Sequence, residues 1–351
     1  MQRVKLGIIG CGAIGNHHLK AAKASSLVNI VAVADLRDEA VSKAAKEFGV
    51  PEVYGEGADL IDSSSAEAVI LAMPTCARTP LALRAFSRGK HVLTEKPVAM
   101  KADEVRQMIA ARGDLVGACC SSRFRFTASA TAATEFLAGG ALGDLRVVRS
   151  RVIQSATEPP KTTPPAWRLS REQNGGGILM NWGCYDLDYL LGLTGWRLKP
   201  RRVMAQAWTV PPAFESWIAP GSDAETHYAA FVRCEGGEAL TLERAEYCPA
   251  RADAAWEISG SRGTLVLHMT PGSDKSLVFY EGVTDKGTVA RTIWEGDDND
   301  SVTMSGPVED FALAILEGRS PKTTLERALV VQEISDAIYQ SAETGAAVEI
   351  A

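Results

Sequence analysis

From residue 4 to residue 120 short apolar runs alternate with segments of helical period, and few folds can be built from that order. Residues 4–9, 28–34, 53–54, 68–73, 91–95 and 115–120 read as strands. Residues 14–24, 39–48, 58–62, 80–88 and 102–112 read as the helices between them. Gly49, Gly89 and Gly113 stand just past helix ends, where a left-handed residue is wanted. The strands are nearly continuous apolar runs, as strands covered on both faces must be. This alternation predicts βαβ units and a doubly wound parallel sheet.

After residue 121 the order changes. A helix at 128–138 and a strand at 145–153 lead into a loop that holds Pro159, Pro160, Pro164 and Pro165. A long irregular loop inside a compact domain is often functional. Gly175-Gly176-Gly177 opens a helix expected to reach Leu191. Strand-like stretches at 201–210, 224–233, 238–247, 254–258, 264–269, 276–281 and 288–294 then follow without helices between them. Turns at Gly236-Gly237 and Ser261-Arg262-Gly263 suit hairpins. The fold class is therefore α/β, a doubly wound domain followed by an α+β domain with an open, largely antiparallel sheet. The expected boundaries are 1–121 for dinucleotide binding and 122–351 for substrate binding and oligomerisation, closed by helices at 307–317 and 324–344.

Gly10-Cys11-Gly12-Ala13-Ile14-Gly15 is GxGxxG between a strand and a helix, the setting the motif requires. The first glycine permits the tight turn, the second admits a pyrophosphate to the backbone, and the third lets helix and sheet approach. Free N–H groups at the helix start receive the anion. Asp35 ends the second strand, 20 residues after Gly15, where a carboxylate accepts from a ribose 2′-OH and repels a 2′-phosphate. NAD is thus expected over NADP, although Arg37 softens the repulsion. Met73, Pro74, Glu95 and Lys96 lie at further strand ends, where ligands of such sheets sit.

Composition excludes other classes. With 351 residues, 46% hydrophobic and 23% charged, the chain is neither disordered nor fibrous. A net charge of −6 offers no footprint for nucleic acid, and Arg123-Phe124-Arg125-Phe126 is too short to supply one. No run of 18 apolar residues spans a membrane, and the glycines among residues 6–15 argue for a strand and turn rather than a leader. Seven cysteines without CxxC suggest reduced thiols of a cytoplasmic protein, and no cysteine cluster has metal-ligand spacing.

Residues 89–97 read Gly-Lys-His-Val-Leu-Thr-Glu-Lys-Pro. Together with the N-terminal GxGxxG, this resembles the glucose–fructose oxidoreductase / inositol dehydrogenase (Gfo/Idh/MocA) family. Ala141-Leu142-Gly143-Asp144-Leu145, Trp167-Arg168 before the glycine triplet, Glu309-Asp310-Phe311 and Ser341-Ala342-Glu343-Thr344-Gly345 extend the resemblance over essentially the whole chain. It implies a Rossmann domain, an α/β domain on an open sheet, and nicotinamide-dependent redox chemistry on a sugar, cyclitol or similar compound. It also implies a homodimer or homotetramer, and a lysine, here Lys96, beside the reacting hydroxyl, often in a cis-Pro turn. An ordinary lysine, with pKa near 10.4, is a poor base at neutral pH, so burial or a neighbouring cation must lower it.

The family's second catalytic group falls on the helix after the glycine triplet, as Asp-x-x-x-His. Here those positions are Asn181 and Tyr185. Asn181 orients a hydroxyl without exchanging a proton, and Tyr185 resembles the sugar-oxidoreductase branch of the family. Helical spacing puts Asn181, Tyr185 and Asp188 on one face, with Asp188 structural and Asp186 pointing elsewhere. Trp167, Arg168, Arg123 and His227 are further substrate-contact candidates, each with a plainer reading as ion pair, strand end or sheet residue. Arg78 stands where many members carry histidine, without an assigned role. His17 and His18 are expected on a helix surface. The function expected is hydride transfer between NAD(H) and a secondary hydroxyl or ketone, Lys96 and Tyr185 moving the proton. The alternatives are an NAD-dependent redox cycle that cleaves glycosides, and a non-catalytic NAD-binding sensor.

Overall fold

The computed structural model describes residues 2–350. They form two compact units, residues 2–123 with Ser301–Val330, and Phe124–Asp300 with residues 331–350.

The first unit follows the expected order: β1 (Val4–Ile9), α1 (Ala13–Ala24), β2 (Val28–Ala34), α2 (Asp38–Phe48), β3 (Glu52–Tyr54), α3 (Gly57–Ser63), β4 (Ala68–Leu71), α4 (Arg78–Ser87), β5 (His91–Thr94), α5 (Ala102–Arg112) and β6 (Gly117–Cys119). Its strands are all parallel, in the spatial order β3-β2-β1-β4-β5-β6. The order reverses between β1 and β4, which marks the ligand crevice of a doubly wound sheet. Val4, Leu6, Ile8, Ile70 and Leu93 face one layer with Leu19 and Val41; Ile9, Val69, Leu71 and Val92 face the other with Leu60, Phe86 and Met108. Fully burying such a side chain contributes roughly 1.5–3 kcal/mol, so these strands are the rigid platform of the unit.

Helix α9 (Ser301–Glu317) adds Val308, Phe311 and Ala312 to the first layer, and Leu325 and Ala328 of α10 (Leu325–Thr344) add to the second. The segment expected to close the second domain therefore contributes to the core of the first. Its apolar period was legible, but not the sheet it would cover.

The second unit contains α6 (Ala128–Ala138), β7 (Leu145–Ser155), α7 (Arg171–Asn174), α8 (Cys184–Leu193), β8 (Pro200–Trp208), β9 (His227–Cys234), β10 (Ala239–Cys248), β11 (Asp253–Gly260), β12 (Gly263–Leu267), β13 (Lys275–Val283), β14 (Gly287–Gly296) and β15 (Val348–Glu349). The sheet order is β14-β13-β12-β11-β7-β10-β9-β8-β15, antiparallel except for β10 with β7. One face is covered: Tyr228, Val232, Leu240 and Leu242 are buried. The other leaves Met204, Trp208 and Phe231 about half exposed. That is the alternation expected of a sheet with one covered face.

Candidate functional site

The glycine loop is built by the strand ends. Backbone N–H groups of Gly10, Ala72 and Glu95 continue the ladders of β1, β4 and β5 by one bond each, to Ala34, Ile9 and Leu71. Gly10 has φ +96, and a Cβ there would lie 2.6 Å from the Ala72 carbonyl oxygen. A Cβ on Gly15 would lie 1.8 Å from the Gly10 carbonyl oxygen. The protein's own packing demands both glycines. Gly12 differs: its Cβ would meet only the Arg37 guanidinium, at 3.7 Å. It is also the N-cap of α1 and makes no side-chain cap. An open cradle beneath an uncapped helix start fits a dinucleotide pyrophosphate.

Asp35 is tied to this loop. Its Oδ2 accepts from the Cys11 N–H at 2.7 Å, and its Oδ1 from the Arg37 N–H at 2.9 Å and Arg37 Nε at 3.2 Å. Burial alone would raise the Asp35 carboxyl, but these donors hold it below the usual range. Burial, then the Asp35 charge, push the Cys11 thiol up to about 12, so it stays neutral. Asn16 Nδ2 donates to the Cys11 and Gly12 carbonyls, both at 2.9 Å, and stiffens the turn. Ala13 is exposed and Ile14 half-buried at the start of α1.

A second group of side chains fixes the turn after β5. Glu95 is 2% exposed. Its Oε1 meets His18 Nε2 at 2.8 Å and Arg123, and its Oε2 accepts the Lys96 N–H at 3.0 Å. Burial would raise this carboxyl, but the Arg123 charge, the His18 bond and the Lys96 charge hold it well below the usual range. Arg78 supports the same turn from its backbone side. Its guanidinium donates to the Met73 and Glu95 carbonyls, each at 2.8 Å, and to Pro97. The Lys96–Pro97 peptide is cis, and Lys96 is half-buried. Pro74 is exposed at the end of β4.

In the second unit, Glu225 organises the helix that carries Tyr185. Its Oε2 accepts from the Gly177 N–H and its Oε1 from the Leu179 N–H, both at 2.9 Å. Its own carbonyl accepts the Ile178 N–H at 2.9 Å, and Tyr339 donates to Oε1 at 2.9 Å. A Cβ on Gly177 would lie 1.8 Å from the Glu225 carbonyl oxygen, which explains that glycine. The chain then makes a π-helical turn, Leu179–Gly183, before α8. Such turns are frequent at functional sites. Tyr185 is buried, edge-on to Phe124 at 4.9 Å and to Trp182 at 5.6 Å. The Arg244 guanidinium lies 5.0 Å over Trp182 and holds Asp186 through two bonds of 2.6 and 2.9 Å, which Trp256 Nε1 joins at 2.8 Å.

Several expectations change here. Asn181 and Asp188 take separate partners. Asn181 Nδ2 donates to the Arg168 carbonyl at 2.8 Å and its Oδ1 accepts from Asn174, whereas Asp188 takes Arg125 at 2.7 Å. A π-helical turn, Leu179–Gly183, stands where a regular helix was expected to run. Arg123 lies in a 3-10 segment, Cys120–Phe126, rather than at a strand end. It is buried and pairs with Glu95. Arg168 is tied to Glu246 at 2.5 Å, the loop-anchoring ion pair. Trp167 remains 38% exposed. His227 meets Glu243 at 3.2 Å and Trp208 at 4.9 Å on the uncovered sheet face. His17 is exposed as expected, but His18 is buried. Gly15, His18, Leu19 and Ala22 form the buried stripe of α1, so helical period already separated the two histidines. Glu225, Arg244 and Glu246 were missed, because nothing local distinguishes a capping or pairing charged residue from a surface one.

Residues 4–115 match the profile described as "Oxidoreductase family, NAD-binding Rossmann fold", and residues 130–266 match the "GFO/IDH/MocA C-terminal domain". The dTDP-3,4-didehydro-2,6-dideoxy-alpha-D-glucose 3-reductase of Streptomyces violaceoruber is 30% identical over 76% of this chain and 73% of its own. The levoglucosan dehydrogenase of Pseudarthrobacter phenanthrenivorans is 23% identical over 97% of both chains. A structure of levoglucosan dehydrogenase with NADH and L-sorbose superposes with a TM-score of 0.85 at 22% identity, covering 100% of each chain, and so shares the fold. Among the described residues no helix is long and apolar enough to cross a membrane. The glycine cradle, the Glu95-Lys96-Pro97 turn and the open sheet agree with these matches: the chain belongs to the Gfo/Idh/MocA family of oxidoreductases, with an NAD-binding Rossmann domain at its amino-terminal end.

Proposed function

We propose that the protein is an NAD(H)-dependent dehydrogenase acting on a secondary hydroxyl, or the matching ketone, of a sugar, sugar derivative or cyclitol. Gly10 to Gly15, Asp35, Met73 and Pro74 would hold NAD, which supplies the hydride acceptor when bound. The observation that carries this reading is the Glu95-Lys96-Pro97 turn, locked at the carboxyl edge of the same sheet as the open Gly12 cradle. Lys96 moves the hydroxyl proton, and Tyr185, a phenol in an aromatic cage, donates or relays it. Asn181 and Arg168 shape the substrate side through the backbone that they fix. Asp35 favours NAD, because its carboxylate repels a 2′-phosphate. Phe124–Asp300, with residues 331–350, serve substrate binding and assembly. The exposed Met204, Trp208 and Phe231 suit a homodimer or homotetramer, and seven free cysteines suit the cytoplasm.

The test is an NAD-against-NADP screen of free sugars, cyclitols and glycosides, following both reduced nicotinamide and sugar products. The expected result is stoichiometric NADH from one class of polyol. The same turnover should fall about 10²–10⁴-fold in Lys96→Ala, the usual worth of a positioned proton-transfer group. Product release with no net NADH would favour a redox cycle instead. Turnover that survives in Lys96→Ala would overturn the role of Lys96.

A further inference from the structure

We propose that His18 and Arg123 are positioning residues for Lys96, acting through Glu95: they anchor its carboxylate and set how much negative charge the Lys96 amine faces. The proposal rests on the reading of Lys96 given above. No part of the sequence motif requires it, since His18 lies in α1 and Arg123 in the 3-10 segment, 77 and 28 residues from Glu95.

Three of the four hydrogen-bonding directions around the Glu95 carboxylate are accounted for. His18 and Arg123 share Oε1, while the Lys96 N–H takes Oε2. Glu95 is ionised, so it only accepts, and His18 Nε2 must carry the donated hydrogen. All three side chains are at least nine-tenths buried. A charge inside protein is weakly screened, so an amine on the next residue feels both the carboxylate and whatever neutralises it. Cys120 and Arg78, which also lie beside the cluster, keep their charge states in the working range. The Cys120 thiol is raised well above the usual range by burial and then by Glu95, and Arg78 is a guanidinium.

His18 has one further peculiarity. Its Nδ1 is buried with no hydrogen-bond partner, so its hydrogen bonding is directed through Nε2 to Glu95. His18, Glu95 and Cys120 also bring ligand atoms within 4.8 Å of one another, a grouping that would suit a metal ion. The Arg123 guanidinium on the same Glu95 oxygen opposes a cation there. The geometry therefore favours charge compensation of Glu95 over metal binding.

The experiment is a titration of Lys96 in the full-length protein without cofactor, using ¹³C-labelled lysine and assigning the signal by its loss in Lys96→Arg. Glu95→Gln should lower the Lys96 pKa by roughly one unit or more, because it removes the anion. Arg123→Met should raise it by a similar amount, and His18→Leu by less. His18→Gln, which restores a donor near the Nε2 position, should return it to wild type. In the active enzyme the kcat profile should shift in the same directions, with KM nearly unchanged.

A purely structural role would give no opposite signs. Shifts of one sign in Glu95→Gln and Arg123→Met, or no shift in either, would overturn the proposal. Stoichiometric Zn²⁺ uptake by the wild type, lost in His18→Leu, would also overturn it. If Arg123→Met does not fold, His18→Leu against Glu95→Gln decides by sign. Active Lys96→Ala with the shifts present would sink the proton-transfer role of Lys96 and leave the charge compensation of Glu95 standing. Inactive Lys96→Ala with the shifts absent would sink only this inference.

Discussion

Glu95 in the first unit and Glu225 in the second are both buried carboxylates that fix the main chain beside a proposed proton-transfer residue, yet their proton affinities move in opposite directions. Glu95 is held low because a guanidinium and an imidazole donor overcome the cost of burial. Glu225 is pushed up by that cost, because its partners are backbone N–H groups and the Tyr339 phenol, none of which carries a charge. The difference shows two ways of anchoring a functional turn. Charge compensation makes a strong, pH-tolerant anchor at the end of a strand. Neutral donors make a weaker anchor, but there one residue, Glu225, accepts from three N–H groups at a helix start through its carboxylate and carbonyl oxygens.

The largest expected effect tests how tightly Glu225 seats the helix. Gly177→Ala places a methyl group 1.8 Å from the Glu225 carbonyl oxygen, a backbone atom that cannot yield cheaply. The expected loss exceeds about 4 kcal/mol, or no folded protein is recovered. A variant with wild-type thermal unfolding would show that the capping geometry is not rigid. Glu95→Ala comes next, because it leaves Arg123 buried without its charged partner. Breaking a buried pair in this way costs about 3–5 kcal/mol, read by calorimetry. Glu225→Gln is milder, about 1–3 kcal/mol, since one of the two capping N–H bonds loses its acceptor.

The pH dependence of stability sharpens the same contrast. The depressed Glu95 carboxyl contributes stability above its unfolded pKa, and that contribution is lost as pH falls through the folded value. The raised Glu225 carboxyl does the reverse. It favours the folded state below its unfolded value and loses that advantage as pH rises through the folded one. Glu95→Gln should therefore flatten the acid limb of a melting-temperature profile, and Glu225→Gln should remove a decline above it. If both variants altered the same limb, the assignment of opposite directions would fail.

What could be read from the sequence divides along a similar line. The sheet, its helices, the Gly10–Gly15 turn, Asp35 and the place of Lys96 all follow from short-range period and from strand ends, and they sit where that logic puts them. Partner choice does not follow from period. Arg168 finds Glu246 78 residues away and Arg244 finds Asp186 58 residues away, and either arginine could have been a surface residue by its neighbours alone. The π-helical turn Leu179–Gly183 escaped for a different reason: a one-turn change of helical pitch leaves no mark in the apolar period. His18 was within reach of the sequence, because its buried stripe is an ordinary helical one.

The smallest effect on stability should come from the residue that matters most to the cofactor. Gly10 and Gly15 are required by the backbone around them, but an added methyl group at Gly12 meets only the mobile end of Arg37, at 3.7 Å. The φ of Gly12 is −72, which alanine adopts freely. Gly12→Ala should thus unfold within about 0.5 kcal/mol of wild type, as a surface replacement does. Its methyl group instead occupies the space through which a pyrophosphate reaches the helix N-terminus. NAD binding, followed by quenching of tryptophan fluorescence, should weaken at least tenfold, about 1.4 kcal/mol. Gly15→Ala should show the opposite profile, with stability lost first and binding lost only as a consequence. If Gly12→Ala bound NAD normally, the cradle would not be where the dinucleotide sits, and the second glycine would be there for neither fold nor ligand.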